Sequence, residues 1–176
     1  MEEVSHYSLK RDYLTSLTNP GLKNSAGVDY SATDGRFVHL PVQAELMAEI
    51  PKELVLIIED TDTAPDKFGN LAALVNGIRI VVEDSSNVEK ADLLAGEVIK
   101  KVSDFHRLGG HMDALNESDG TTKSLRVRLP LYNNDYAVRS HYNERVAVIL
   151  SDDLSALPGL YFILEYETLK NVAYSR

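Results

Sequence analysis

The sequence contains no cysteine and no tryptophan. Without thiols it can build no disulfide framework, no thiolate zinc site and no cysteine nucleophile. It has no run of about 18 apolar residues, the length a membrane-spanning helix needs. Basic groupings such as Lys100-Lys101 and Arg126-x-Arg128 are too small for a phosphate-binding patch. With 18 Lys+Arg against 27 Asp+Glu, the net charge of −9 opposes nucleic-acid binding through phosphates. The first residues, Met1 to His6, are acidic and lack an apolar stretch, so neither a signal peptide nor a transit peptide is expected. No Gly-x-x-x-x-Gly-Lys-Ser/Thr, no Gly-x-Gly-x-x-Gly and no Gly-x-Ser-x-Gly occurs.

What remains is 176 residues, 44% of them apolar. That length predicts one domain with a core of its own. The cysteine-free composition suits assembly in a reducing cytoplasm. Residues 1–36 carry closely spaced turn signals, Asn19-Pro20-Gly21, Asn24 to Gly27 and Asp34-Gly35. They read as an arm or extended N-terminal strand, and residues 37–176 as the domain.

Phe37 to Leu46 partly alternates and reads as a strand, placed at an edge by Pro41. Leu54 to Ile58 is a short apolar run of the buried-strand kind, and Thr61 to Asn70 a loop. Asn76-Gly77 sits between Leu71–Val75 and Ile78–Val82 and predicts a type I′ hairpin, with a short helix over Leu71–Val75 as the alternative. Val88, Ala91, Leu94, Ala95, Val98, Ile99, Val102 and Phe105 recur every three or four residues, which predicts an amphipathic helix of about five turns. Ser86 and Glu89 would form its capping box, and Gly109-Gly110 its end. Asn116 to Lys123 reads as a loop. Leu125 to Leu131 alternates as a half-buried strand with Arg126 and Arg128 in solvent or at a partner. Arg145–Leu150 and Leu160–Thr168 complete the strands, the last with Phe162, Leu164 and Tyr166 on one face. The expected fold is α+β: a mostly antiparallel, mixed sheet packed on one long amphipathic helix, with an extended N-terminal arm.

No catalytic, cofactor-binding or metal-binding residue is assigned. His106 and His111, with Asp104 and Asp113 nearby, lack the spacing of converging metal ligands and read as surface groups at a helix end. Glu59, Asp60, Asp62 and Asp66 follow a buried strand, but counting from Asp60 puts Pro65 and Leu71 where an EF-hand needs Gly and Glu. An Asp-x-Asp magnesium site there is the weaker alternative to a solvated loop. The nine tyrosines suit either packing or interfaces, and Val172 to Arg176 reads as a tail able to pair with a neighbour.

Two resemblances carry function. Ala26-Gly27-Val28-Asp29-Tyr30 resembles the first motif of trimeric dUTPases, and Asn143 to Ala147 a later one, while that family's Arg-Ser-Gly and Gly-x-Ile-Asp segments are missing. More broadly, the order of strand Ile78–Val82, acidic turn Glu83-Asp84, helix Val88–Phe105, loop and strands 125–131 and 146–150 is similar to tail terminator (tail completion, minor capsid) proteins of long-tailed bacteriophages. That resemblance implies a non-enzymatic, cofactor-free ring subunit at the head–tail junction of a virion assembled in the host cytoplasm. Its partners would be copies of itself and other tail or neck proteins, with DNA only as passing cargo and no membrane. Leu125–Leu131 and the C-terminal strand would make the subunit contacts, and acidic loops such as Glu59–Asp66 or Asp113–Asp119 would line the channel. A tail tube, neck or decoration subunit, a nucleotide-hydrolysing or metal-dependent enzyme, and a binding module are the competing readings.

Overall fold

The computed structural model describes residues 8–16, 35–39, 41, 47–60, 74, 76–116, 123–132, 136–139, 142–150 and 159–170. Among the described residues the strands are β1 (Ser8–Tyr13), β2 (Thr15–Ser16), β3 (Gly35–His39), β4 (Met47–Asp60), β5 (Ile78–Glu83), β6 (Glu89–Asp92), β7 (His111–Asn116), β8 (Lys123–Pro130), β9 (Val138–Arg139), β10 (Arg145–Leu150) and β11 (Gly159–Lys170), with one short α-helix, α1 (Val102–Arg107). They form two sheets in which every strand pairing is antiparallel. One runs β1-β11-β4-β8-β7, with β9 on β4; the other runs β2-β3-β10-β5-β6.

The pairing is nested. β1 pairs with β11, β3 with β10, β4 with β8 and β5 with β6, outermost with outermost. A long hairpin folded over on itself gives this order, and the added β11–β4 and β10–β5 contacts close each sheet. That winding is a jelly roll. The core lies between the sheets. Leu54, Leu56, Ile58, Val127, Leu129, Phe162 and Leu164 from one sheet meet Phe37, Ile78, Ile80, Val82, Val146, Val148 and Leu150 from the other. Phe37 and Phe162 stack across the gap with ring centroids 4.8 Å apart.

The structure overturns the α+β expectation. The helix predicted over Val88–Phe105 does not form: Glu89–Asp92 is β6, and α1 alone is helical. Backbone conformation breaks the period. Asn87, Ala95 and Gly96 have φ of 63°, 55° and 82°, which no right-handed helix accommodates. Tertiary bonds also claim the groups a helix would use: Leu93 N–H donates to the Ile80 carbonyl, and Ile78 and Ile99 exchange both bonds. Ala91, Leu94, Ile99 and Phe105 of the helical stripe are buried, but a strand, a turn and a short helix deliver them separately, and Val88 is exposed. The supposed capping box is the β5–β6 turn, where the Asp84 carboxylate accepts the N–H groups of Ser86 and Val88. The expected C-terminus holds: Gly109, at φ 74°, follows the last turn of α1.

Other expectations are met or displaced. β10 spans Arg145–Leu150 as read, and β11 contains Leu160–Thr168. The buried run Leu54–Ile58 lies inside β4. β5 has β10 on one side and β6 on the other, while residues 71–73 and 75 of the expected Asn76-Gly77 hairpin partner lie outside the described residues. Asp113 lies in β7 rather than in a loop. Residues 8–16 of the supposed arm supply a strand to each sheet. The loop 61–70, residues 17–34 and the tail 172–176 lie outside the described residues. β8 and β11, expected as subunit contacts, are interior strands with both edges filled.

Candidate functional site

A bulge places the buried polar groups. β4 and β11 are in register from Glu59↔Gly159 to Glu53↔Glu165, then slip so that Tyr166 faces Pro51 and Lys52 is the extra residue. The slip reverses which positions point inward. Leu54, Leu56 and Ile58 face the core on one side of it; Glu49 and Pro51 are buried on the other. Proline, without an N–H, is tolerated at such a break. The Lys52 carbonyl is satisfied by Leu131 N–H.

Glu49 therefore enters the space between the sheets. There its carboxylate lies 2.6 Å from His39 Nε2, and the two side chains are 4% and 5% exposed. The His39 ring leans on Tyr166, centroids 4.6 Å apart, and the Tyr166 hydroxyl donates to the Asp12 carboxylate. Burial, then the bond to Asp12, then the Glu49 charge push the Tyr166 hydroxyl well above its usual range. The chain Asp12–Tyr166 and His39–Glu49 ties β1, β11, β3 and β4 together. A histidine–carboxylate pair can orient a general base, but this one is enclosed by core and tyrosine, and its geometry is that of a pin.

A second polar group lies on the outer face of the other sheet. Glu83, 1% exposed, accepts from Arg145 Nη2 at 2.8 Å and Arg145 Nε at 3.1 Å on one oxygen, and from Arg36 Nε at 3.2 Å on the other. Beside it, Lys90 holds the half-buried Asp84 carboxyl below the usual range, helped by Val88 N–H. On the outer face of the first sheet, Arg128 Nε lies 3.4 Å from Glu53 and its Nη2 3.4 Å from Glu165, which also binds Arg11. Arg128, expected in solvent or at a partner, thus belongs to a ladder across β1, β11, β8 and β4. Arg126 Nε is buried without a partner among the described residues.

An open pocket of about 420 Å³ is lined by Tyr136, Ala137, Arg139, Tyr142 and Glu144. Arg139 sits over the Tyr142 ring at 5.7 Å, and Glu144 accepts from Arg139 N–H at 3.0 Å and Tyr136 hydroxyl at 3.3 Å. Burial and the Glu144 charge raise the Tyr136 hydroxyl above its usual range. The pocket residues already satisfy one another.

The histidines do not converge. His106 and His111 are exposed, His111 3.4 Å from Asp113, and His6 and His141 lie outside the described residues. Asp104, read with them, instead caps α1: its carboxylate accepts the N–H groups of Lys100 and Lys101 at 2.8 and 3.1 Å. Burial raises its pKa, but those two bonds and the charges of Arg107 and Lys101 outweigh it, and the carboxyl titrates below the usual value. Among the described residues no three His, Asp or Glu side chains gather as metal ligands. Of the acidic cluster 59–66, only the backbone of Glu59 and Asp60 is described, in β4. Asn143 to Ala147 forms the turn into β10 and its first residues, while Ala26–Tyr30 lies outside the described residues. The residues that sequence reading missed are His39 and Glu49. Their pairing follows from a bulge and from two strands in opposite sheets, which no spacing reveals.

The class defined by this geometry is a jelly-roll β-sandwich with a buried His39–Glu49 pair between its sheets. No protein-family model matches the chain, no curated protein matches it, and no solved structure matches it.

Proposed function

We propose that this protein is a structural subunit of a virion, a jelly-roll building block that joins copies of itself and neighbouring virion proteins and performs no catalysis. The observation that carries the reading is the nested strand order, which leaves β1 and β7, and β2 and β6, as the outer strands of the two sheets. Jelly rolls serve as capsid modules, lectins and cupins. A cupin-type enzyme needs ligands converging inside the sandwich; here the described interior is aliphatic and aromatic core plus the His39–Glu49 pair. The tail-terminator reading depended on a long helix between strands, and that segment is strand, turn and a single short helix. The proposal therefore keeps the virion and moves to a shell, decoration or neck subunit. The net charge of −9 fits a protein that DNA passes without adhering.

The test is light scattering and electron microscopy of the purified protein at rising concentration, alone and with phage particles. Ordered assemblies or decorated particles are the expected result. A strict monomer that leaves particles bare overturns the reading.

A further inference from the structure

Among the described strands, β1 is the outer strand of its sheet. Leu14 N–H donates to the Phe162 carbonyl at 2.9 Å, and this pair continues the β1–β11 register. In an antiparallel ladder, bonded pairs alternate with unbonded ones. The even positions Lys10 and Asp12 thus turn their N–H and C=O toward β11, while Leu9, Arg11 and Tyr13 turn theirs outward. No described strand pairs with that outward side. Leu9 and Tyr13, exposed at 66% and 67%, share a face there. Two bare apolar side chains on an open edge are a liability that a soluble chain normally covers.

We infer that two copies pair through β1, antiparallel, across a twofold axis at Arg11. In that register Leu9 lies opposite the partner's Tyr13, Arg11 opposite the partner's Arg11 and Tyr13 opposite the partner's Leu9. All three are the positions whose backbone groups point outward, so each pair exchanges both N–H···O bonds. Both apolar side chains find an apolar neighbour, and Lys10 lies opposite the partner's Asp12. The one like-charged pair is Arg11 with itself, and each guanidinium is already neutralised by Glu165. Moving the axis to Lys10 or Asp12 sets Lys against Lys or Asp against Asp and leaves Leu9 or Tyr13 facing Arg11. The contact is isologous and fuses two five-stranded paths into one continuous sheet. It rests on the structural-subunit reading and names the interface.

The cysteine-free chain gives a clean background for cross-linking. At the twofold position the two Cα atoms lie about 5.5 Å apart, within disulfide reach. A lone cysteine at Leu9 or Tyr13 sits about 13 Å along the strand from its copy, beyond reach. Under mild oxidation Arg11→Cys should give a disulfide-linked dimer at least tenfold more abundant than Leu9→Cys or Tyr13→Cys. Leu9→Pro, which removes an outward N–H and the Leu9 side chain but no bond to β11, should abolish dimer by light scattering while the melting transition stays cooperative. Equal cross-linking at the three positions, or a dimer that survives Leu9→Pro, overturns the contact. Assembly on particles without Arg11→Cys cross-linking overturns the contact and leaves the structural-subunit reading standing. Cross-linking by a protein that neither assembles nor binds particles does the reverse.

Discussion

His39 and Glu49 meet 2.6 Å apart between the sheets, although they come from strands of different sheets and a bulge must turn Glu49 inward. Removing one partner leaves the other polar and buried. His39→Ala should destabilise the fold by about 3 kcal/mol in urea melts. The double variant His39→Ala/Glu49→Ala should cost less than the sum of the singles, because they share one contact. Additive losses would show that the pair does not couple.

Glu83 stands to Arg36 and Arg145 as one carboxylate to two cations. Glu83→Ala should cost about 3 kcal/mol, since it removes the buried carboxylate that both guanidiniums share. Glu83→Gln keeps an acceptor and should cost less. Equal stability of the two variants in denaturant titrations would contradict the clamp.

Asp104 binds two backbone N–H groups ahead of α1 as a carboxylate, and its pKa lies below 3.8 in the folded protein. A lowered native pKa contributes stability that is present above the unfolded value and lost as pH falls through the native one. Asp104→Ala should therefore cost about 1 kcal/mol at neutral pH. The gap to the natural protein should begin to close near about pH 4 and vanish as pH falls through the lower native value. A gap that persists unchanged at pH 2 would place the effect elsewhere.

Gly77 and Gly96 separate two reasons for glycine. Both have positive φ, 88° and 82°. A Cβ at Gly77 would fall 2.6 Å from Val98 Cγ1 and 2.7 Å from the Ile99 carbonyl, whereas one at Gly96 meets open space. Gly96→Ala should cost about 1 kcal/mol for backbone strain alone. Gly77→Ala should cost clearly more, read as a larger drop in melting temperature.

The strands were legible where the chemistry is periodic. Val146, Val148 and Leu150 alternate inward along β10, and the run Leu54–Ile58 reads as buried strand. The helical period misleads because Ala91, Leu94, Ile99 and Phe105 fall at helical spacing although a strand, a turn, a bridge to Ile78 and a short helix deliver them. The positive φ at Asn87 and Ala95 leaves no mark in an apolar pattern. The β5–β6 turn was also hidden, since Ser86 and Glu89 satisfy a capping rule as well as a turn. The buried polar groups were illegible for a different reason: Lys52 as a bulge residue changes the inward phase of β4, and only tertiary pairing decides that.

The nested winding also sets a schedule. Tyr13 pairs with Ile163, so 163 − 13 = 150 residues of chain must follow the first strand before its partner exists. At ribosomal rates of about 5–20 residues per second, that wait is about 8–30 seconds. During it, Leu9 and Tyr13 sit on a strand with no sheet to join. β11 thus completes the sheet that β1 needs, and the nascent chain stays open to chaperones, or to a neighbour's matching strand, until β11 has been made.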